Sequence, residues 1–174
     1  ELHYGNKSNF DSQRKLLLPL INQSFETLPY YTTISEAEFK YQTTGLEFLI
    51  DEKLLIYLTK NNIPIAFILV VPDISKFINN CKGNLNLIHQ IKLFLTKRKY
   101  RREAVLIIKG TDPNFAGKNY QTLLHRELFF NLKQNGYQSL KSTYVEDTNP
   151  GSSASYLRAG GNKVHRYGFF SKEI

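Results

Sequence analysis

The run from Ala104 to Gly136 constrains this chain more than any other, because strand, tight turn and long helix follow one another there without interruption. Ala104 to Lys109 (A-V-L-I-I-K) is the kind of continuous apolar run that fills a strand buried on both faces. The chain-turning cluster G-T-D-P ends it. After N-F-A-G-K-N comes Y-Q-T-L-L-H-R-E-L-F-F-N-L-K-Q-N-G, where Leu123, Leu124, Leu128 and Leu132 keep helical spacing and Gly136 marks the stop. A helix that opens directly after a turn presents backbone N–H groups with no internal partner, and together with the helix dipole these make an anion site. Asn119 precedes that helix and is the least costly residue other than glycine for a left-handed backbone.

Composition sets wider limits. At 174 residues, 41% hydrophobic and 13% aromatic, the sequence supports one soluble domain, residues 1–174, with a substantial core. Cys81 is the only cysteine, so no intramolecular disulfide or thiolate metal cluster is expected, and a reducing, cytoplasmic setting follows. His3, His89 and His165 are too dispersed for a metal site. No apolar stretch approaches the roughly 20 residues of a membrane span, and E-L-H-Y-G-N-K has no signal pattern, so no membrane partner is expected. A start at Glu1 and the absence of Met suggest an excised segment of a longer protein.

The first hundred residues organise themselves without strong chemistry. Leu2 to Tyr4 suits a short first strand, and Asp11 or Ser12 a helix cap for Gln13 to Phe25, which Pro19 should kink or restart. Ser35 and Glu38 form a capping box. Leu54 to Leu58, K-N-N-I-P and Ile65 to Val71 spell a β-hairpin, followed by helical segments around Ile74 to Asn80 and Leu85 to Lys97. The net charge is +8, and K-R-K-Y-R-R at Lys97 to Arg102 concentrates part of it. This stretch is expected to be a solvated turn, with attraction of an anionic cofactor ranked second and nucleic acid third.

The span Thr111 to Leu124 (T-D-P-N-F-A-G-K-N-Y-Q-T-L-L) resembles the Gcn5-related N-acetyltransferase (GNAT) signature V-x-P-x-x-R/Q-G-x-G-x-G/A-x-x-L. Pro113, Gly117 and Leu124 match, whereas Ala116, Asn119 and Gln121 replace the usual Arg or Gln, the second glycine and the third small residue. Asn149 to Gly160 (N-P-G-S-S-A-S-Y-L-R-A-G) is similar to the superfamily pattern N-x-x-A/S-x-x-x-Y-x-K/R-x-G, and K-V-H-R-Y-G-F-F-S-K-E alternates as a last strand would. The whole chain also looks like the C-terminal half of longer bacterial proteins with a GNAT-like module, which implies a further N-terminal domain.

The resemblance implies an α/β (α+β) acyl-CoA N-acyltransferase fold: a mixed, mostly antiparallel twisted sheet flanked by helices, with the Ala104 and Leu140 strands parallel and splayed around the cofactor. It implies transfer of an acetyl or other acyl group from acyl-CoA to a small-molecule or peptide amine. Lys109, Thr111, Ala116, Gly117, Lys118, Asn119, Tyr120, Gln121 and Asn149 would hold the coenzyme. Tyr156 would protonate the departing thiolate, with a half-buried packing residue as its plain alternative. The base usually sits on the Ala104 strand, which here has only Glu103 at its start, so Asp147, or Glu146 on the opposite strand face, takes that place. His125 and Arg126 are expected to be surface or helix-packing groups. The rival readings are a non-catalytic module that keeps the fold, and a domain that uses aminoacyl-tRNA or a carrier-protein thioester.

Overall fold

The structure, a computed structural model, describes residues 1–28, 31–44, 49–145, 150–168 and 172. They form two compact units, residues 1–143 and 144–174.

The first unit is built on a five-stranded sheet: β1 (Leu2–Tyr4), β2 (Leu55–Lys60), β3 (Ile63–Pro72), β4 (Glu103–Thr111) and β5 (Ser139–Ser142), adjacent in that order. The first three pairings are antiparallel and β4–β5 is parallel, as the resemblance implies. β2 and β3 are joined by only Asn61 and Asn62, both at positive φ (51° and 63°). The turn is thus shorter than K-N-N-I-P suggested, because two consecutive left-handed residues let a two-residue turn follow the strand twist. Pro64, which has no N–H, is tolerated beside a register shift in this hairpin.

Helices cover both sheet faces. α1 (Phe10–Phe25) packs on β3 and β4, and Leu17, Leu20 and Ile21 bury against Leu55, Tyr57 and Phe67. Strand alternation sends Ile56 and Ile68 to the opposite face, where α5 (Tyr120–Gln134) lies over β2, β3 and β4. α1 is a single helix starting at Phe10, with Pro19 inside it; Asp11 is not its cap but an ion-pair partner of Arg14 at 2.8 Å. α2 (Glu36–Thr43) has the expected Ser35–Glu38 capping box. α3 (Ser75–Asn80) and α4 (Leu87–Tyr100) connect β3 to β4, so of the basic stretch only Arg101 and Arg102 form the turn.

β4 departs from expectation twice. It runs on through Gly110 and Thr111, which pair with Phe67 and Ala66, and it is not buried on both faces, since Ile107 is 42% exposed. Ile107 is the extra residue of a bulge: Val70 pairs with Leu106 and Leu69 with Ile108. Glycine occupies position 110 because a Cβ there would lie 2.6 Å from Phe67 Cε1 and from Ser24 Oγ of α1.

In the second unit, α6 (Pro150–Arg158) matches the expected short helix, and the Tyr156 carbonyl accepts from the backbone N–H of Ala159 (3.1 Å) and Gly161 (3.0 Å) at its end. Residues 161–168 form no strand, against expectation. Val164 and Tyr167 are 82% and 78% exposed: alternation makes a strand only where an edge and an apolar surface receive it.

Filling position 110 tests the close approach of α1. Gly110→Ala is expected to destabilise the chain by about 1–3 kcal/mol, the usual cost of overpacking, with an unchanged denaturant slope. An unaltered urea midpoint would show that α1 does not press on β4.

Candidate functional site

The β4–β5 ladder ends at Leu106 and Ser142, whereas β4 continues to Thr111. Past the Ile107 bulge, among the described residues, β4 therefore has β3 alone as a strand partner, and a parallel pair that opens midway exposes backbone to a ligand. Thr143 marks the parting: its N–H donates to Leu106 O (3.2 Å) and its hydroxyl to Ile107 O (3.3 Å).

The turn after β4 begins at Asp112, a buried carboxylate that accepts from Asn114 N (2.8 Å) and so caps a 3-10 turn at Pro113–Phe115. Ala116 follows, donating to Pro113 O (3.2 Å). Gly117 (φ 74°) and Asn119 (φ 61°) are both left-handed, which confirms the reading of Asn119 from the sequence. Leu123 N is the first amide to bond back into α5, on Asn119 O at 3.2 Å. The N–H groups of Tyr120, Gln121 and Thr122 thus precede the helical ladder and point out of its positive end. Ala116, Gly117, Lys118 and Asn119 are exposed, and a Cβ on Gly117 would meet nothing within 4 Å, so the mouth of the turn is open. Lys118 Nζ lies 4.8 Å from the Phe115 ring centre and 3.3 Å from Asn114 O, and the Tyr120 ring is tilted against Phe115.

At the other end of α5, Gly136 (φ 79°) fulfils its expected role. Its N–H reaches Lys133 O, and that of Tyr137 reaches Leu132 O, closing the helix as a Schellman motif.

Gln121 shows why a long residue fits where the resemblance has a small one. Its Nε2 donates to Gly110 O (2.7 Å), Thr111 Oγ1 (3.0 Å) and Phe67 O (3.3 Å), stitching the first turn of α5 to the middle of β3 and the end of β4. Its Oε1 is buried without a hydrogen bond.

His125, one turn on, is buried, with Nδ1 2.7 Å from Gln121 O and Nε2 making no hydrogen bond. Burial first, and then the nearby Lys109 charge, push its pKa below the ordinary value, while the bond to Gln121 opposes them. Its inward direction was not legible from apolar spacing alone: the stripe on α5 is Leu124, His125, Leu128, Asn131 and Leu132, and Leu123 is 47% exposed.

The carboxylates divide clearly. Glu103 accepts from Lys141 (2.7 Å) and Lys76 (3.1 Å), and these cations hold it below the usual carboxylate range, which makes it a poor base. β5 ends at Ser142. Glu146, Asp147 and Asn149 lie outside the described residues. Tyr156 sits half-buried on α6 in the second unit, and burial pushes its phenol up, which keeps it protonated at neutral pH. The structure thus joins Thr111 to Gln121 and gathers Ala116 to Gln121 around one helix start.

No family model matches the chain, and no curated protein sequence matches it significantly. Solved structures do share its fold. Aminoglycoside 6'-N-acetyltransferase AAC(6')-Ig from Acinetobacter haemolyticus aligns over 100% of this chain and 99% of its own at TM-score 0.60 and 16% identity. Aminoglycoside N-acetyltransferase AAC(6')-Iy, solved with CoA, aligns over 100% and 95% at TM-score 0.59 and 13% identity. Ard1 from Thermoplasma volcanium aligns over 92% and 80% at TM-score 0.58 and 11% identity. The fold of this chain is that of the GNAT acetyltransferases.

His125 should write a pH dependence into stability. Its folded pKa lies below the unfolded value of about 6.5, so between the two only the unfolded chain binds the proton and stability falls as pH is lowered through that window. His125→Leu is expected to reduce the slope of unfolding free energy between about pH 7 and pH 5, by up to about 1.4 kcal/mol per unit. Parallel curves for the two proteins would mean that the imidazole titrates freely.

Proposed function

We propose that this chain is an N-acyltransferase that moves an acyl group, acetyl in the first instance, from coenzyme A to an amine. The observation that carries the proposal is the left-handed pair Gly117 and Asn119, which opens α5 beyond the end of β4 that β5 does not pair. A pyrophosphate on the amides of Tyr120, Gln121 and Thr122 would meet the positive helix end, with Lys118 beside it. The pantetheine would then run along the part of β4 that β5 does not cover, where Lys109 and Thr111 lie and Asn149 is proposed to join them.

In this scheme the amine nitrogen attacks the thioester carbonyl carbon, and the tetrahedral intermediate collapses with cleavage of the carbon–sulfur bond. Asp147 is the proposed acceptor of the amine proton, and Tyr156 the proposed donor to the departing thiolate. A phenol raised by burial suits donation. Free Cys81 fits the cytoplasmic setting that CoA chemistry calls for. A second reading is favoured by Gln121, whose side chain occupies the end of β4 as a structural tie and suits a binding module that no longer turns over.

Turnover decides between the two. Purified protein with acetyl-CoA and a panel of amines, aminoglycosides and peptide N-termini included, is expected to release CoA thiol; binding of CoA with no turnover on any amine would favour the module. Calorimetry with CoA is expected to show affinity falling by about tenfold or more in Gly117→Val, since a branched residue at φ 74° strains the turn and intrudes where phosphate approaches. Unchanged affinity in a folded variant would move the phosphate elsewhere. Tyr156→Phe is expected to keep CoA affinity and lose turnover by roughly 10²-fold, the scale of a positioned acid, whereas equal rates across pH would leave Tyr156 as packing.

A further inference from the structure

α4 is inverted relative to an ordinary surface helix. Its inward line is Leu93 (2% exposed), with Tyr100 and His89 edge-on to Phe77. The outward line holds Leu87, Ile88, Ile91, Phe94 and Leu95, exposed by 71%, 74%, 53%, 56% and 75%. At 100° per residue these five fall within about 120° of arc, so they form one continuous apolar stripe about 12 Å long on the face a solvated helix makes polar.

The charge around the stripe is one-sided. Residues 74–102 contain eight of the 23 Lys and Arg and none of the 15 Asp and Glu. The other 15 cations and 15 anions cancel, so the whole formal excess of +8 belongs to this segment. Lys92 and Lys99 flank the stripe and Arg98 continues it, all three exposed.

We infer that α4 docks this protein peripherally on an anionic phospholipid surface. Apolar side chains would enter the acyl boundary while the flanking cations meet headgroups. A second copy fits poorly, because a two-fold contact would set two such cationic segments against each other. Nucleic acid supplies anions but no acyl phase for aliphatic side chains. No helix among the described residues is long and apolar enough to cross a membrane, so the contact is interfacial, and it is independent of the acyl-transfer proposal.

Vesicle flotation of the whole chain tests this. It is expected to float with phosphatidylcholine–phosphatidylglycerol vesicles, less so as salt rises, and to stay behind with phosphatidylcholine alone. Lys92→Gln with Arg98→Gln and Lys99→Gln should weaken binding by about a hundredfold. Ile88→Gln with Ile91→Gln and Leu95→Gln, which alters no charge, should weaken it by about tenfold or more. The chain has no tryptophan, so Ile91→Trp adds a single reporter whose emission should shift to the blue on anionic vesicles. An unshifted reporter, or equal binding to both vesicle types, overturns the proposal. So does full binding by the uncharged variant, or a lipid-free dimer that this variant makes monomeric.

Discussion

The acyl-transfer proposal depends on β4 being held, among the described residues, by strands on both sides for only part of its length. The parallel pairing with β5 stops at Leu106, the bulge at Ile107 shifts the register against β3, and among the described residues the rest of the strand pairs with β3 alone. Two contacts keep that half-supported end in place. α1 presses Ser24 against Gly110, and Gln121 of α5 donates to Gly110 O and Thr111 Oγ1 from the opposite side. A strand end clamped from both faces, and unpaired at its edge among the described residues, has the stiffness a binding site needs.

The sequence made the frame legible where one residue type had one geometric use. Asn119 was readable as left-handed because few residues other than glycine enter that region cheaply, and Gly136 because a helix ending in a Schellman motif needs it. The parallel strand pair was implied by the resemblance to the GNAT signature. What stayed hidden was decided by tertiary contact. Gly110 looked like a turn residue and is a strand residue, because its lack of a side chain admits α1. His125 and Asn131 face inward on α5 although apolar spacing gave no sign of it. Residues 161–168 alternate but form no strand, because a local pattern cannot supply the partner a strand needs.

Within the candidate site, the loop residues from Thr111 to Gln121 were legible as a group, but the use made of Gln121 was not. At a position where the resemblance has a small residue, its amide satisfies two backbone carbonyls and a hydroxyl, and only a structure shows acceptors gathered from β3 and β4. The amount of charge was legible, but its setting on a helix was not. Lys97 to Arg102 looked like a local basic turn, whereas the excess charge of the protein spans α3, α4 and that turn together, around an exposed apolar stripe.

Crystals soaked with acetyl-CoA test the central claim most directly. The account predicts a pyrophosphate on the N–H groups of Tyr120, Gln121 and Thr122, with the pantetheine against β4 beyond Ile107. Coenzyme bound at another surface, or a cradle left bare at saturating acetyl-CoA, would contradict it.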